Sequence, residues 1–138
     1  VSTQSTGMLF TLIFNFDEII DKIDANAVIQ CANEQIGKPY VRGGNGPNSF
    51  DCSGLVKFCY QRAGVNLPRT ASQQCSGSMT SSPNLGDIVC MDTAGQGSVS
   101  HVGIFIGNGM MIHAPRPGKN VGKVAIKYVP VLKGYKHY

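Results

Sequence analysis

Val99-Ser-His-Val-Gly-Ile-Phe-Ile-Gly-Asn-Gly-Met-Met-Ile-His-Ala114 decides the fold class. Apolar residues recur at Val102, Ile104 and Ile106, the period of two that gives a strand one hydrophobic face, so His101 and Gly103 share the opposite, polar face. Gly107-Asn108-Gly109 suits a three-residue hairpin loop with Gly109 left-handed, in which Ile106 pairs with Met110 and Gly103 faces His113. That register puts His101 and His113 on one face at diagonal positions, about 7 to 8 Å apart, with Gly103 leaving space beside them. A slip of one residue would send the two imidazoles to opposite faces.

Further strands are expected over Asp87 to Met91, Met110 to Ala114 and Lys123 to Val129. Before them the period is helical. Val28, Cys31, Ala32 and Ile36 follow an N-cap at Asp24 and stop at Gly37 and Pro39. A second helix begins near Asp51-Cys-Ser, with Leu55, Phe58, Cys59 and Arg62 along one side and Gly64 as its stop. Thr70 and Gln73 stand at capping-box spacing and open a short third helix running toward Gly77. The glycine-rich stretch Gly43 to Pro47 lacks both a Walker lysine and G-x-G-x-x-G spacing and reads as a plain loop. Helices first and strands second imply an α+β domain, N-terminal helices packed on a central antiparallel sheet.

The 138 residues hold one domain, with 42% hydrophobic and 14% charged side chains excluding wholesale disorder. No apolar run approaches the roughly 20 residues of a membrane span. Residues 1–22 form an N-terminal extension, of which Val1 to Gly7 reads as an expression remnant or processed end, and residues 23–138 form the functional domain. Met8 to Phe16 reads either as a degenerate signal-peptide core or as a strand or helix packed on the domain; it lacks a basic n-region and a small-x-small cleavage site, which favours the second. The formal charge of +4 suits an anionic polymer, but Lys119, Lys123, Lys127, Lys133 and Lys136 are not interleaved with aromatics and read as a solvated face, so no nucleic-acid partner is expected.

Five cysteines without a C-x-x-C pair fit neither a complete disulfide framework nor a zinc ribbon, and at least one thiol should be free. Cys31, Cys59, Cys75 and Cys90 fall where a cysteine serves as a small buried hydrophobe. Cys52 differs, because a helix N-terminus favours the thiolate and should lower its pKa. A prepared nucleophile and two imidazoles make a catalytic constellation.

Pro39-Tyr40, Gly43-Gly44, Asp51-Cys-Ser-Gly-Leu-Val56, Leu67-Pro-Arg-Thr70, Gly86-Asp87, His101-Val-Gly-Ile104 and Ile112-His-Ala114 occur in that order. With these residues the chain resembles the NlpC/P60 family of cysteine peptidases, from about Ile23 to Val129. The resemblance implies a papain-like α+β fold and hydrolysis of peptidoglycan stem peptides, commonly between D-glutamate and a diamino acid. It assigns Cys52 as nucleophile, His101 as general base and then acid, and His113 as the group orienting His101. The Cys52 N–H is the natural oxyanion donor. Tyr40, Asp51 and Ser53 match positions lining the substrate site, with Asp51 also a helix cap; Arg69 has either a rim role or a substrate contact. Arg42 departs from the pattern, since relatives often carry an aromatic residue before the paired glycines. His137 matches no motif and is expected at the surface.

No cofactor or metal is expected, and the protein is expected to be a monomer acting outside the cytoplasm, where peptidoglycan lies. A free nucleophilic thiol there is open to oxidation, so activity should be higher under reducing conditions. Three other readings remain: a zinc protein using Cys52, His101 and His113 as ligands, a papain-like amidase or acyltransferase, and an inactive domain that only binds wall fragments.

Overall fold

The computed structural model describes residues 25–138. The N-terminal extension, the apolar stretch Met8 to Phe16 and the Asp24 cap lie outside the described residues. Helix α1 occupies 25–35 in its described part. Helix α2, Cys52–Arg62, is capped by Asp51, whose Oδ1 accepts the Gly54 N–H at 2.7 Å. Helix α3, Ala71–Gln74, starts with the capping box of Thr70 and Gln73, but ends three residues short of Gly77.

Strands β1 (Ile88–Met91), β2 (His101–Gly107), β3 (Met110–His113), β4 (Gly122–Ala125) and β5 (Leu132–Lys136) form one sheet in the order β4-β3-β2-β1-β5. Every pairing in it is antiparallel. This is the expected α+β arrangement. Two expectations are corrected. The strand over Lys123 to Val129 stops at Ala125, where Ile126–Tyr128 turns into a 3-10 helix that tucks Ile126 under the sheet. The fifth strand was not foreseen, because Leu132-Lys-Gly-Tyr-Lys136 looks like part of a basic surface; lysines are what an edge strand carries to discourage further pairing.

The β2–β3 hairpin also closes differently. Asn108 and Gly109 both have positive φ, 55° and 70°, giving a two-residue turn in place of the three-residue loop. Gly107 pairs with Met110, and a bulge at Ile106 absorbs the extra residue. Ile104 opposite Ile112 and Phe105 opposite Met111 then carry the register that sets Gly103 opposite His113, as the sequence requires.

The sheet is buried on both faces, which corrects the expectation of one polar face. Ile88, Cys90, Val102, Ile104 and Ile112 join Val28, Leu55, Val56 and Cys59 in the main core between sheet and helices. Val89, Met91 and Met111 point the other way onto Ile126 and Tyr135. The four cysteines read as small hydrophobes are buried as expected, but they are paired. Cys31–Cys59 joins α1 to α2, and Cys75–Cys90 joins the end of α3 to β1. Pairing was hidden in the sequence because an odd count conceals two bridges and one free thiol. No helix among the described residues is long and apolar enough to cross a membrane.

One glycine in this framework positions the site. Gly54, in the first turn of α2, lies against the loop below it, and a Cβ there would fall on the Gly44 carbonyl oxygen. Helix and loop are both held by Asp51, so neither can move aside cheaply. Gly54→Ala is therefore expected to cost at least about 2 kcal/mol, read as a fall in the thermal midpoint of the order of 10 °C; an unchanged midpoint would show that the loop yields.

Candidate active site

Cys52 is the first residue of α2 and the free cysteine of the five. Its position follows from the carboxylate before it. Asp51 Oδ1 takes the Gly54 N–H at 2.7 Å and stands 3.4 Å from the Ser53 hydroxyl, while Oδ2 takes the Gly43 N–H at 3.1 Å and the Arg69 guanidinium at 2.8 Å. A second arm of Arg69 donates to Ser53 Oγ at 2.7 Å. Buried Gln74 closes the underside, its Nε2 donating to the carbonyls of Ser53 at 3.0 Å and Pro68 at 2.9 Å. Loop, helix start and α3 thus converge on the residues flanking the thiol.

The imidazoles stand on adjacent strands. His101 opens β2 and His113 closes β3, and His101 Nε2 lies 2.8 Å from His113 Nδ1 with the rings edge to face. Both are buried, at 6% and 8% exposure. Gly103 leaves the space that the His113 and Met111 side chains occupy: a Cβ there would meet Met111 Sδ at 2.6 Å and the His113 Cβ at 3.2 Å, and both would have to shift. Cys52 packs against the core cluster that includes Val102, the residue after His101, and the Val102 backbone favours the charged form of its thiol.

Burial dominates the electrostatics. It raises the Cys52 thiol pKa above its ordinary value; the Val102 N–H opposes the rise, the Asp51 carboxylate adds to it, and the N–H groups of Ser53 and Cys52 oppose it again. The expected lowering by the helix start is therefore overturned, because the loss of solvent outweighs it. Burial pushes His101 down to about 4, assisted by His113, and pushes His113 down to about 4, assisted by the positive charge of Arg116. The resting site thus holds a neutral thiol beside two neutral imidazoles. In the shared hydrogen bond one ring donates and the other accepts.

Tyr40 joins this group. It is half-buried, and its pKa is raised by burial and then by the negative charges of Cys52 and Asp51, against the pull of Arg42 and Arg69. The residues named from the sequence therefore fall in two groups, Tyr40, Asp51, Cys52, Ser53 and Arg69 on the helix side and His101 with His113 on the hairpin side, with Cys52 packed against the core cluster that holds Val102. His137 is exposed as expected, yet its Nδ1 sits 2.7 Å from Asp87 Oδ1, a carboxylate that is itself buried. Sequence reasoning did not reach Val102, whose contribution is a backbone N–H without a side-chain signature, nor Gln74 and Arg116. Among the described residues no three His, Cys, Asp or Glu side chains gather as a potential metal site, so the zinc-ligand reading finds no support in the geometry.

The NlpC/P60 family model matches residues 37–134. The chain belongs to the NlpC/P60 family. It is 44% identical over 95 residues to a Listeria innocua protein named probable endopeptidase p60, an alignment covering 67% of this chain and 20% of that protein. The chain thus spans about a fifth of the length of this relative. Among solved structures it is similar to the NlpC/P60 domain of the peptidoglycan hydrolase SagA, with TM-score 0.72 and 30% identity, covering 83% of this chain and 98% of that one. It is also similar to NlpC1 from Trichomonas vaginalis, with TM-score 0.76 and 30% identity over 83% of this chain and 44% of the other. These similarities match the papain-like NlpC/P60 architecture expected from the motifs.

Two measurements check this description. Alkylation of the native, unreduced protein followed by mass spectrometry should add one group, on Cys52; a second modified cysteine would break the pairing described. The pH dependence of stability has a definite sign. An imidazole held neutral to about 4 in the fold but titrating near 6.5 when unfolded lets the unfolded chain bind more protons between those values. Stability is fully present above 6.5 and is lost as pH falls through that window. The thermal midpoint should drop by the order of 5 to 10 °C from neutral pH to pH 4.5, with a shallower slope in His101→Gln.

Proposed function

We propose that this NlpC/P60 domain is a cysteine endopeptidase acting on peptidoglycan stem peptides, cleaving between D-glutamate and the diamino acid. One observation carries the reading: a free thiol at a helix start packs against the core of the strand that bears His101, whose Nε2 is taken by His113. Relatives with the printed names endopeptidase and peptidoglycan hydrolase support the substrate class.

The chemistry follows from which atoms are free. With Nε2 engaged by His113, the remaining nitrogen of His101, Nδ1, serves as base. It accepts the Cys52 proton as the sulfur attacks the carbonyl carbon, so the thiolate forms only in the attack and is not stored beforehand. The new imidazolium is steadied by the His113 Nδ1 lone pair. Collapse of the tetrahedral species breaks the C–N bond as His101 returns the proton to the leaving amine. Water, deprotonated by the same ring, then opens the thioester and restores Cys52. The Cys52 N–H at the helix start faces the developing oxyanion. Tyr40, Ser53 and Arg69 line the approach. Asp51 already has four polar neighbours, so it offers a substrate amine its charge more than an empty lone pair. The two disulfides fit action in an oxidising compartment outside the cytoplasm.

Digestion of purified peptidoglycan with mass spectrometry of the fragments tests the assignment. The native protein should release peptides ending in D-glutamate, Cys52→Ala should lose at least about a thousandfold of that rate, and His101→Ala about as much. His113→Gln should lose less, about tenfold to a hundredfold, because it orients the base and exchanges no proton with the substrate. Unchanged stem peptides sink the endopeptidase reading; loss of an amide nitrogen without chain cleavage selects the amidase instead.

A further inference from the structure

Residues 25–138 contain eleven of the twelve lysines and arginines but only four of the eight acidic residues. All four carboxylates are engaged. Glu34 pairs with Arg62 at 3.2 Å, Asp51 with Arg69 at 2.8 Å and Asp87 with His137 at 2.7 Å. Asp92 takes the amides of Gln96 and Gly97 at 3.1 and 2.7 Å. Arg42, Arg116 and Lys119 are exposed and have no ion-pair partner among the described residues.

These three side chains stand on two loops fastened together beside the thiol. Arg42 lies inside a turn closed by the Gly44 N–H on the Val41 carbonyl at 2.8 Å, and the next residue, Gly43, donates to the Asp51 carboxylate. Arg116 opens a turn closed by the Lys119 N–H on its own carbonyl at 3.1 Å. The Lys119 carbonyl accepts the Tyr40 N–H at 3.0 Å, and the Lys38 carbonyl accepts the Val121 N–H at 2.8 Å. The segment from Tyr40 to Gly44 and the loop from Arg116 to Lys119 therefore share one rim. Both cations are felt inside the site, Arg42 by Tyr40 and Arg116 by His113.

We propose that Arg42 and Arg116, backed by Lys119, form an anion-recognising rim that selects peptides with free carboxylates beside the scissile bond over the same peptides with those groups amidated. This rests on the peptidase reading of Cys52, His101 and His113. A guanidinium presents parallel N–H donors that match both oxygens of a carboxylate. A carboxamide has the same size but no charge, and it turns an N–H toward those donors, so the exchange sacrifices attraction and adds a donor-to-donor clash.

Two synthetic stem peptides that differ only in free against amidated carboxylates, assayed with the native protein and with Arg42→Gln/Arg116→Gln, test the inference. The native protein should prefer the free form by about tenfold in kcat/KM, mostly through KM, and the double variant should bring that ratio within about twofold. Because each ratio compares two substrates on one protein, a general loss of catalysis cancels. Raising the salt should narrow the native ratio toward that of the variant. A native ratio near one, or a ratio that survives in the variant, overturns the rim. If neither peptide is cleaved, the peptidase reading fails and binding to Cys52→Ala by calorimetry decides the rim alone. A preference for the free form that the two arginine substitutions abolish upholds it, and equal or undetectable binding of both peptides overturns it.

Discussion

The Asp51 carboxylate fixes the geometry on which everything else rests. A helix start leaves backbone N–H groups without intrahelical partners, and a preceding aspartate is an ordinary remedy. Here the same two oxygens also receive the N–H of Gly43 from the loop below and the guanidinium of Arg69 from the approach to α3. One small group thus sets the direction of α2, the height of the glycine loop and the placement of a charged wall. Cys52, next in the chain, inherits its position from that junction. Gly54 completes it, because the close passage of helix over loop leaves no room for a side chain.

The hairpin contributes the complementary half. His101 and His113 meet because two antiparallel strands hold them in register, and the bulge at Ile106 keeps that register while a tight Asn-Gly turn closes the end. Burial on both sides of the sheet then controls their charge. Water-poor surroundings disfavour imidazolium and thiolate alike. The Val102 backbone opposes part of that desolvation at Cys52.

Most of this was legible in the residues. The period of two through Val102 and Ile104, the Asp51 cap and the Thr70–Gln73 box are local signals, and each appears where its chemistry places it. The relation of His101 to His113 followed from counting along the hairpin, although the count reached the right pairing through the wrong loop. What was missed is non-local or carried by the backbone. The partners of four cysteines depend on how helices cross. The polarity of the second sheet face depends on Ile126 packing against it from the segment after β4, and on Tyr135 of β5 lying beside Val89 on that face. The thiol pKa was misjudged because a helix dipole can be read from sequence and the burial around it cannot. Strand β5 lacked any apolar alternation to announce it.

The distribution of sulfur has a further consequence. Four atoms are spent in two buried cross-links that staple the helical layer to itself and to β1, and the fifth is left as a thiol at the start of α2. Peroxide arriving from solvent therefore meets a single oxidisable thiol, because the other four sulfurs are already in their oxidised form. Oxidation of that thiol to a sulfenic acid leaves both cross-links and the shape they hold unchanged, and a thiol too mild to open the staples is enough to reverse it.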